Sequence, residues 1–188
     1  MPTMTAPAPH EVDVPARPAT HRVLFAVVAV AWFVFDQSTK WWAVSGLDDG
    51  TVDVVGSLRF QLAVNHGASF SLGTGLGAWI GVFALVVVGV LVWQGRSVRS
   101  RLGAVAMGLI VGGALGNVAD RAFRGDGFFD GGVIDFIDLQ WWPVFNVADV
   151  GVVCGAILLV LSMVRAPDDG GSDATVDVAS GDPTGPEA

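Results

Sequence analysis

Phe145-Asn146-Val147-Ala148-Asp149, followed without a break by the apolar run 150–164, decides how this chain is read. A run of that length predicts a helix that crosses a membrane, a task that takes about 20 residues for a hydrocarbon layer of roughly 30 Å. Two polar side chains, Asn146 and Asp149, stand three residues apart in its first two turns. An aspartate at a helix start gains from the free N–H groups there, yet below the interface it must be neutral, paired or hydrated. Apolar and small residues flank Asp149, so a helix-start role alone explains it poorly and it becomes a candidate for chemistry.

The rest of the chain fits a membrane solvent. Of its 188 residues 52% are hydrophobic and only 15% charged, with a mean hydropathy of +0.59, which argues against a soluble domain. Apolar segments near 22–43, 76–94, 102–119 and 143–164 predict an all-α membrane protein of four transmembrane helices. In the third, Gly108, Gly112 and Gly116 recur on one helix face, where a neighbouring backbone can come close, unless they are merely tolerated breaks. Basic residues lie before the first segment (Arg17, Arg22), between the second and third (Arg96, Arg99, Arg101) and after the fourth (Arg165). Cytoplasmic loops retain such residues, so both termini are expected in the cytoplasm and the loops 44–75 and 120–142 outside, with a small β or loop element there. Trp41, Trp42, Trp79, Trp141 and Trp142 suit the outer interface and Trp93 the inner one, whereas mid-span Trp32 reads as packing.

The first segment is too long for a cleaved signal peptide and lacks a small-residue cleavage site, so it is expected to be retained. Residues 1–20 are rich in proline and 166–188 in small and acidic residues, which predicts disordered tails around a membrane domain at 21–165. The acidic tail supplies much of the net charge of −8. Cys154, the single cysteine, cannot form an intrachain disulfide and reads as packing.

Ionisable groups in or near a span cost several kcal/mol unless paired or wet, and here they gather at the outer end. Asp36 and Lys40 lie four apart in the first segment, placed for an intrahelical ion pair that anchors the helix end or takes part in chemistry. Asn117, Asp120 and Arg121 continue the glycine face of the third segment, either as a self-satisfied network or with Arg121 donating to carbonyl groups of a bound peptide. Val133-Ile134-Asp135-Phe136-Ile137-Asp138 alternates like a short strand, so Asp135 and Asp138 should point to opposite sides. Asn65 is the notable polar group of the first outer loop, and His66 beside it reads as a solvated loop residue, since no second histidine or cysteine stands near.

Taken in order, Asp36…Lys40, Asn65-His66-Gly67-Ala68-Ser69-Phe70, Gly116-Asn117-Val118-Ala119-Asp120-Arg121, Val133-Ile134-Asp135-Phe136 and Phe145-Asn146-Val147-Ala148-Asp149 resemble the bacterial lipoprotein signal peptidase family, signal peptidase II. The resemblance spans roughly residues 22–164. It implies an aspartic intramembrane endopeptidase of the bacterial cytoplasmic membrane, with its active site toward the outside. The implied substrate is a prolipoprotein, cut just before a cysteine that already carries diacylglycerol. The resemblance also implies Asp135 and Asp149 as the catalytic dyad, with Asp36, Lys40, Asn65, Gly113, Asn117, Asp120, Arg121 and Asn146 at supporting or substrate-contacting positions. Membrane lipids are the other expected partners; no metal, organic cofactor or nucleic acid is expected. Two carboxyls held close cannot both ionise easily, which suits a pair that activates water.

Two segments depart from the family pattern. Residues 122–132 are longer than expected and carry Asp126 and Asp130, read as loop carboxylates, while 139–144 is shorter. Two rival functions arise from the residues themselves: an ion- or proton-coupled transporter, for which the inner halves of the spans lack titratable groups, and an assembly protein whose polar cluster only locks helices.

Overall fold

The computed structural model describes residues 18–47, 50–67, 77–127, 129 and 131–164. Four helices stand where the apolar segments predict them: α1 (Pro18–Gly46), α2 (Gly77–Gly95), α3 (Arg101–Phe123) and α4 (Val147–Val164). Helix α1 already begins within the segment assigned to the N-terminal tail; the remainder of that tail and all of 166–188 lie outside the described residues. Three of the helices, α1, α3 and α4, are long and apolar enough to cross a membrane, whereas the apolar stretch Trp79–Gly95 of α2 is shorter.

Helix α3 is the centre of the bundle. Its spanning window is 56% buried, against 11% in α1 and 17% in α4. The glycines explain why. A Cβ on Gly108 or Gly112 would run into the backbone carbonyl of Phe25 or Ala29 of α1, and one on Gly113 into the carbonyl of Ala148 in α4. The small faces of α3 thus let both neighbours approach to backbone contact, as small-residue stripes do in membranes. Ser100 caps the start of α3 by accepting from the Gly103 N–H at 3.0 Å.

Outside the bundle lies a three-stranded antiparallel sheet in the order β1 (Val52–Val55), β2 (Leu58–Asn65), β3 (Val133–Asp138). The strand at 133–138 is the predicted one; the hairpin at 52–65 was not apparent from the outer loop. It turns at Gly56, whose φ of +58 suits glycine. The sheet packs on the end of α1 through Ala43, Leu47, Ile134 and Phe136, with Trp42 edge-on to Phe60 and Phe136 at 5.3 and 5.9 Å. After β3 the short connection doubles back, and Phe145 pairs with Ile137, its carbonyl accepting from the Ile137 N–H at 2.8 Å. That bridge brings the first turn of α4 against β3.

Of the two side chains read as packing, one packs and one does not. Trp32 covers Gly151 of α4 but also donates from Nε1 to the Val147 carbonyl at 3.2 Å, and Cys154 lies on the exposed face of α4.

Candidate active site

The first turn of α4 sets the geometry. Asn146 is its cap: Asn146 Oδ1 accepts from the Asp149 N–H at 3.0 Å, and Asp149 Oδ2 accepts from the Asn146 N–H at 3.2 Å. This reciprocal box satisfies two N–H groups that a helix start leaves open. With its carbonyl oxygen committed to the cap, the Asn146 amide must turn its NH2 outward, where it donates to Asp135 Oδ1 at 2.7 Å and to Asn117 Oδ1 at 3.1 Å. Asn117 in turn donates to Asp149 Oδ1 at 2.9 Å. Asp135 and Asp149 therefore flank one asparagine, and both receive only donors.

Asp135 is 4% exposed and also accepts from Asn65 Nδ2 at 3.1 Å. Burial pushes its carboxyl up to about 6, and the neighbouring Asp149 charge pushes the same way, against the donors Asn65 and Asn146. Asp138 points elsewhere, as strand alternation requires. It accepts from the Gln140 N–H at 2.6 Å and from Arg59 Nε at 2.6 Å, contacts that hold it below the usual carboxylate range. Among the loop carboxylates, Asp126 is exposed and Asp130 lies outside the described residues.

Beneath the pair lies a buried ionic cluster. Lys40, Asp36 and Asp120 have no exposed side-chain surface, and Lys40 Nζ reaches Asp36 at 2.9 Å, Asp120 at 2.8 Å and Asn117 Oδ1 at 2.8 Å. The ion pair read from the i, i+4 spacing is present but serves three helices. Asp36 Oδ1 accepts from the Ala148 N–H of α4 at 2.8 Å, and Asp120 accepts from the Ile134 N–H of β3 at 3.2 Å and from Arg124 Nε at 2.8 Å. Gln37, passed over in the sequence, joins this cluster by donating to the Gly116 carbonyl at 3.1 Å and to Asp36 at 3.2 Å. A polar side chain one residue from Asp36 in an apolar run was the available signal.

Two expected substrate contacts are placed unequally. Asn65 Oδ1 accepts from the Gly67 N–H at 3.0 Å while its amide donates to Asp135, so it orients the acid. Arg121 donates from Nη2 to the Gly67 carbonyl at 2.6 Å, and its buried Nη1 has no partner among the described residues. A Cβ on Gly113 would meet Ala148 and Val152 of α4, so this glycine lets α4 approach α3 below the pair. His66 is exposed, as a loop residue should be.

Asp135, Asp149, Asn117, Asn65 and Arg121 line one cavity of about 550 Å³. Its other walls are apolar, from Ile80, Phe83 and Val87 of α2 through Ile110 and Ala114 of α3 to Val152 and Val153 of α4. A site of this form puts two acids and a guanidinium at the polar end of an apolar groove between helices.

Known proteins resemble this one in sequence and in shape. The family profile described as "Signal peptidase (SPase) II" matches residues 28–165. A "Lipoprotein signal peptidase" of Rhodococcus jostii (strain RHA1) is 44% identical over 164 residues, covering 83% of this chain and 81% of the relative. The protein of that name from Mycobacterium tuberculosis (strain ATCC 25618 / H37Rv) is 45% identical over 156 residues, 80% of this chain and 75% of its own. A solved structure described as "Bacterial membrane enzyme structure by the in meso method at 2.3 A resolution" superposes with a TM-score of 0.68 at 25% identity, over 79% of this chain and 92% of that one.

Proposed function

Because the chain belongs to the signal peptidase II family, the aspartic membrane proteases that remove lipoprotein signal peptides, we propose that Asp135 and Asp149 are its catalytic dyad. One observation carries this reading: both acids are tied to Asn146 at the polar end of an apolar groove. Family membership also sets aside the transporter and assembly readings.

In the proposed reaction a bound substrate that excludes water carries further the burial that already favours the proton on Asp135, so Asp135 holds the proton and Asp149 acts as base toward a water between them. Asp149 takes a proton as the water attacks the scissile carbonyl, and Asp135 hydrogen-bonds the oxygen on which negative charge develops. The proton on Asp149 then passes to the leaving amine. Arg121 Nη1 is assigned to a substrate carbonyl, which keeps the peptide in line. The apolar walls receive the signal helix and the acyl chains of a diacylglyceryl cysteine, with the cut just before that cysteine.

We place the protein in the bacterial cytoplasmic membrane with four spans, α2 included, both termini cytoplasmic and the dyad toward the outer face. The arginines at the inner helix ends support that orientation. The test is cleavage of a synthetic precursor with and without the diacylglyceryl group by the purified protein in detergent, with products weighed by mass spectrometry. Cleavage of the lipidated form alone, immediately before its cysteine, is expected; equal cleavage of both forms contradicts the substrate assignment.

A further inference from the structure

Lys40 is the only lysine in the chain, and its three ammonium hydrogens are all spent in the buried cluster. Asp36 and Asp120 balance its charge. The third bond, to Asn117 Oδ1 at 2.8 Å, balances nothing, because a carboxamide is neutral. What that bond does control is polarity. A primary amide keeps nearly the same shape when its ends are exchanged, so its neighbours decide which end points where.

The two ends of Asn117 face opposite demands. One end meets Lys40 and the Asn146 NH2, the other meets Asp149 Oδ1 at 2.9 Å. An ammonium has no acceptor, so the carbonyl must face Lys40 and the NH2 must face Asp149. The contact from Asn146 points the same way but is longer, at 3.1 Å, and that amide makes its shorter bond to Asp135. The bond from Lys40 is charge-assisted and therefore the stronger hold; by drawing electron density to the carbonyl it also makes the amide a better donor at its far end.

We propose that Lys40 is a positioning residue for catalysis: it locks and polarises the Asn117 amide so that an N–H, and never a lone pair, is presented to Asp149. Lys40 does not touch the cavity, and its effect on the reaction passes through one side chain. The proposal rests on the reading of Asp149 as a member of the dyad. A lysine that merely held α1 to α3 would need Asp36 and Asp120 but not Asn117.

The test is a cycle of Lys40→Gln, Asn117→Ala and the double variant in full-length protein, with kcat and KM for a lipidated precursor peptide. Glutamine keeps length and polarity but can offer Asn117 either a donor or an acceptor. In folded protein, Lys40→Gln is expected to lower kcat roughly tenfold to a hundredfold with KM nearly unchanged. The double variant is expected to be no slower than Asn117→Ala alone, because two residues acting in series do not add. Additive losses, or an unchanged kcat in Lys40→Gln, overturn the proposal. If Lys40→Gln does not fold, Lys40→Arg decides: its guanidinium still balances Asp36 and Asp120, but its planar fork cannot keep all three ammonium contacts and gives up the one to Asn117. A lowered kcat at unchanged KM then upholds the proposal, and a wild-type kcat overturns it. Asp149→Asn in the same assay separates the two levels, since turnover there removes the dyad itself.

Discussion

The side-chain amide of Asn146 donates to Asp135 Oδ1 at 2.7 Å while its oxygen caps the N–H of Asp149. The residue that starts α4 is therefore also the residue that holds the strand acid in place, and the two jobs use opposite ends of one amide.

Those jobs can be separated by substitution. Asn146→Ala should cost about 1 kcal/mol of stability from the lost cap, and Asn146→Ser should recover most of that because serine caps well. Serine is too short to reach Asp135, so turnover should stay down by about a hundredfold in both variants, the size expected for a misplaced acid. Thermal unfolding in detergent and initial cleavage rates check this; recovery of turnover along with stability in Asn146→Ser would show that the cap alone matters.

Acid titration gives a second check. Asp135 ordinarily ionises near 3.8 and is pushed up to about 6 in the fold. Below the lower value it is protonated whether folded or not; between the two the unfolded chain releases the proton first, so folding stability falls as pH rises. Above about 6 the loss is complete, and two pH units correspond to about 3 kcal/mol. Asp135→Asn should therefore gain stability relative to wild type as pH goes from 4 to 7. A difference that is flat with pH, or of opposite sign, contradicts the assigned environment.

Much of this was legible in the sequence, for reasons that differ by element. The helices were readable because apolar length has few other uses, and β3 because Asp135 and Asp138 interrupt an alternating run. The hairpin 52–65 was not, since Val52, Val54 and Val55 are all exposed and give no two-faced pattern. Spacing placed Asp36 beside Lys40, which share a helix, but could not bring Asp120 to the same ammonium; that takes the glycine faces of α3. Nor could it show that Asn65 orients Asp135 through a sheet whose first two strands had gone unrecognised.

The buried cluster predicts a contrast in stability. Asp120→Ala leaves Lys40 without one of its two carboxylates at a site with no exposed surface and should cost about 3–5 kcal/mol. Arg59→Ala breaks a pair whose arginine is 33% exposed and should cost about 1 kcal/mol or less. Urea or thermal unfolding in detergent measures both, and similar costs would mean that Lys40 is reached by water.

Helix packing makes a contrast of its own. Gly112→Leu drives a side chain into the Ala29 carbonyl and should cost about 1–3 kcal/mol or more, whereas a Cβ at Gly89 on α2 meets nothing within 4 Å among the described residues, so Gly89→Leu should be tolerated. The yield of folded protein from membranes and its melting temperature report the difference. Equal tolerance at both positions would place the α1–α3 contact elsewhere.

Asp135 and Asp149 are proposed to carry the reaction together, and turnover by single-residue variants tests that most directly. Asp135→Asn, Asp149→Asn and the exposed-loop control Asp126→Asn are purified, shown to be folded by thermal unfolding, and assayed on a lipidated precursor peptide. Loss of cleavage in the first two with near wild-type cleavage in the third is the expected result. Sustained turnover by either Asp135→Asn or Asp149→Asn contradicts a dyad of these two acids.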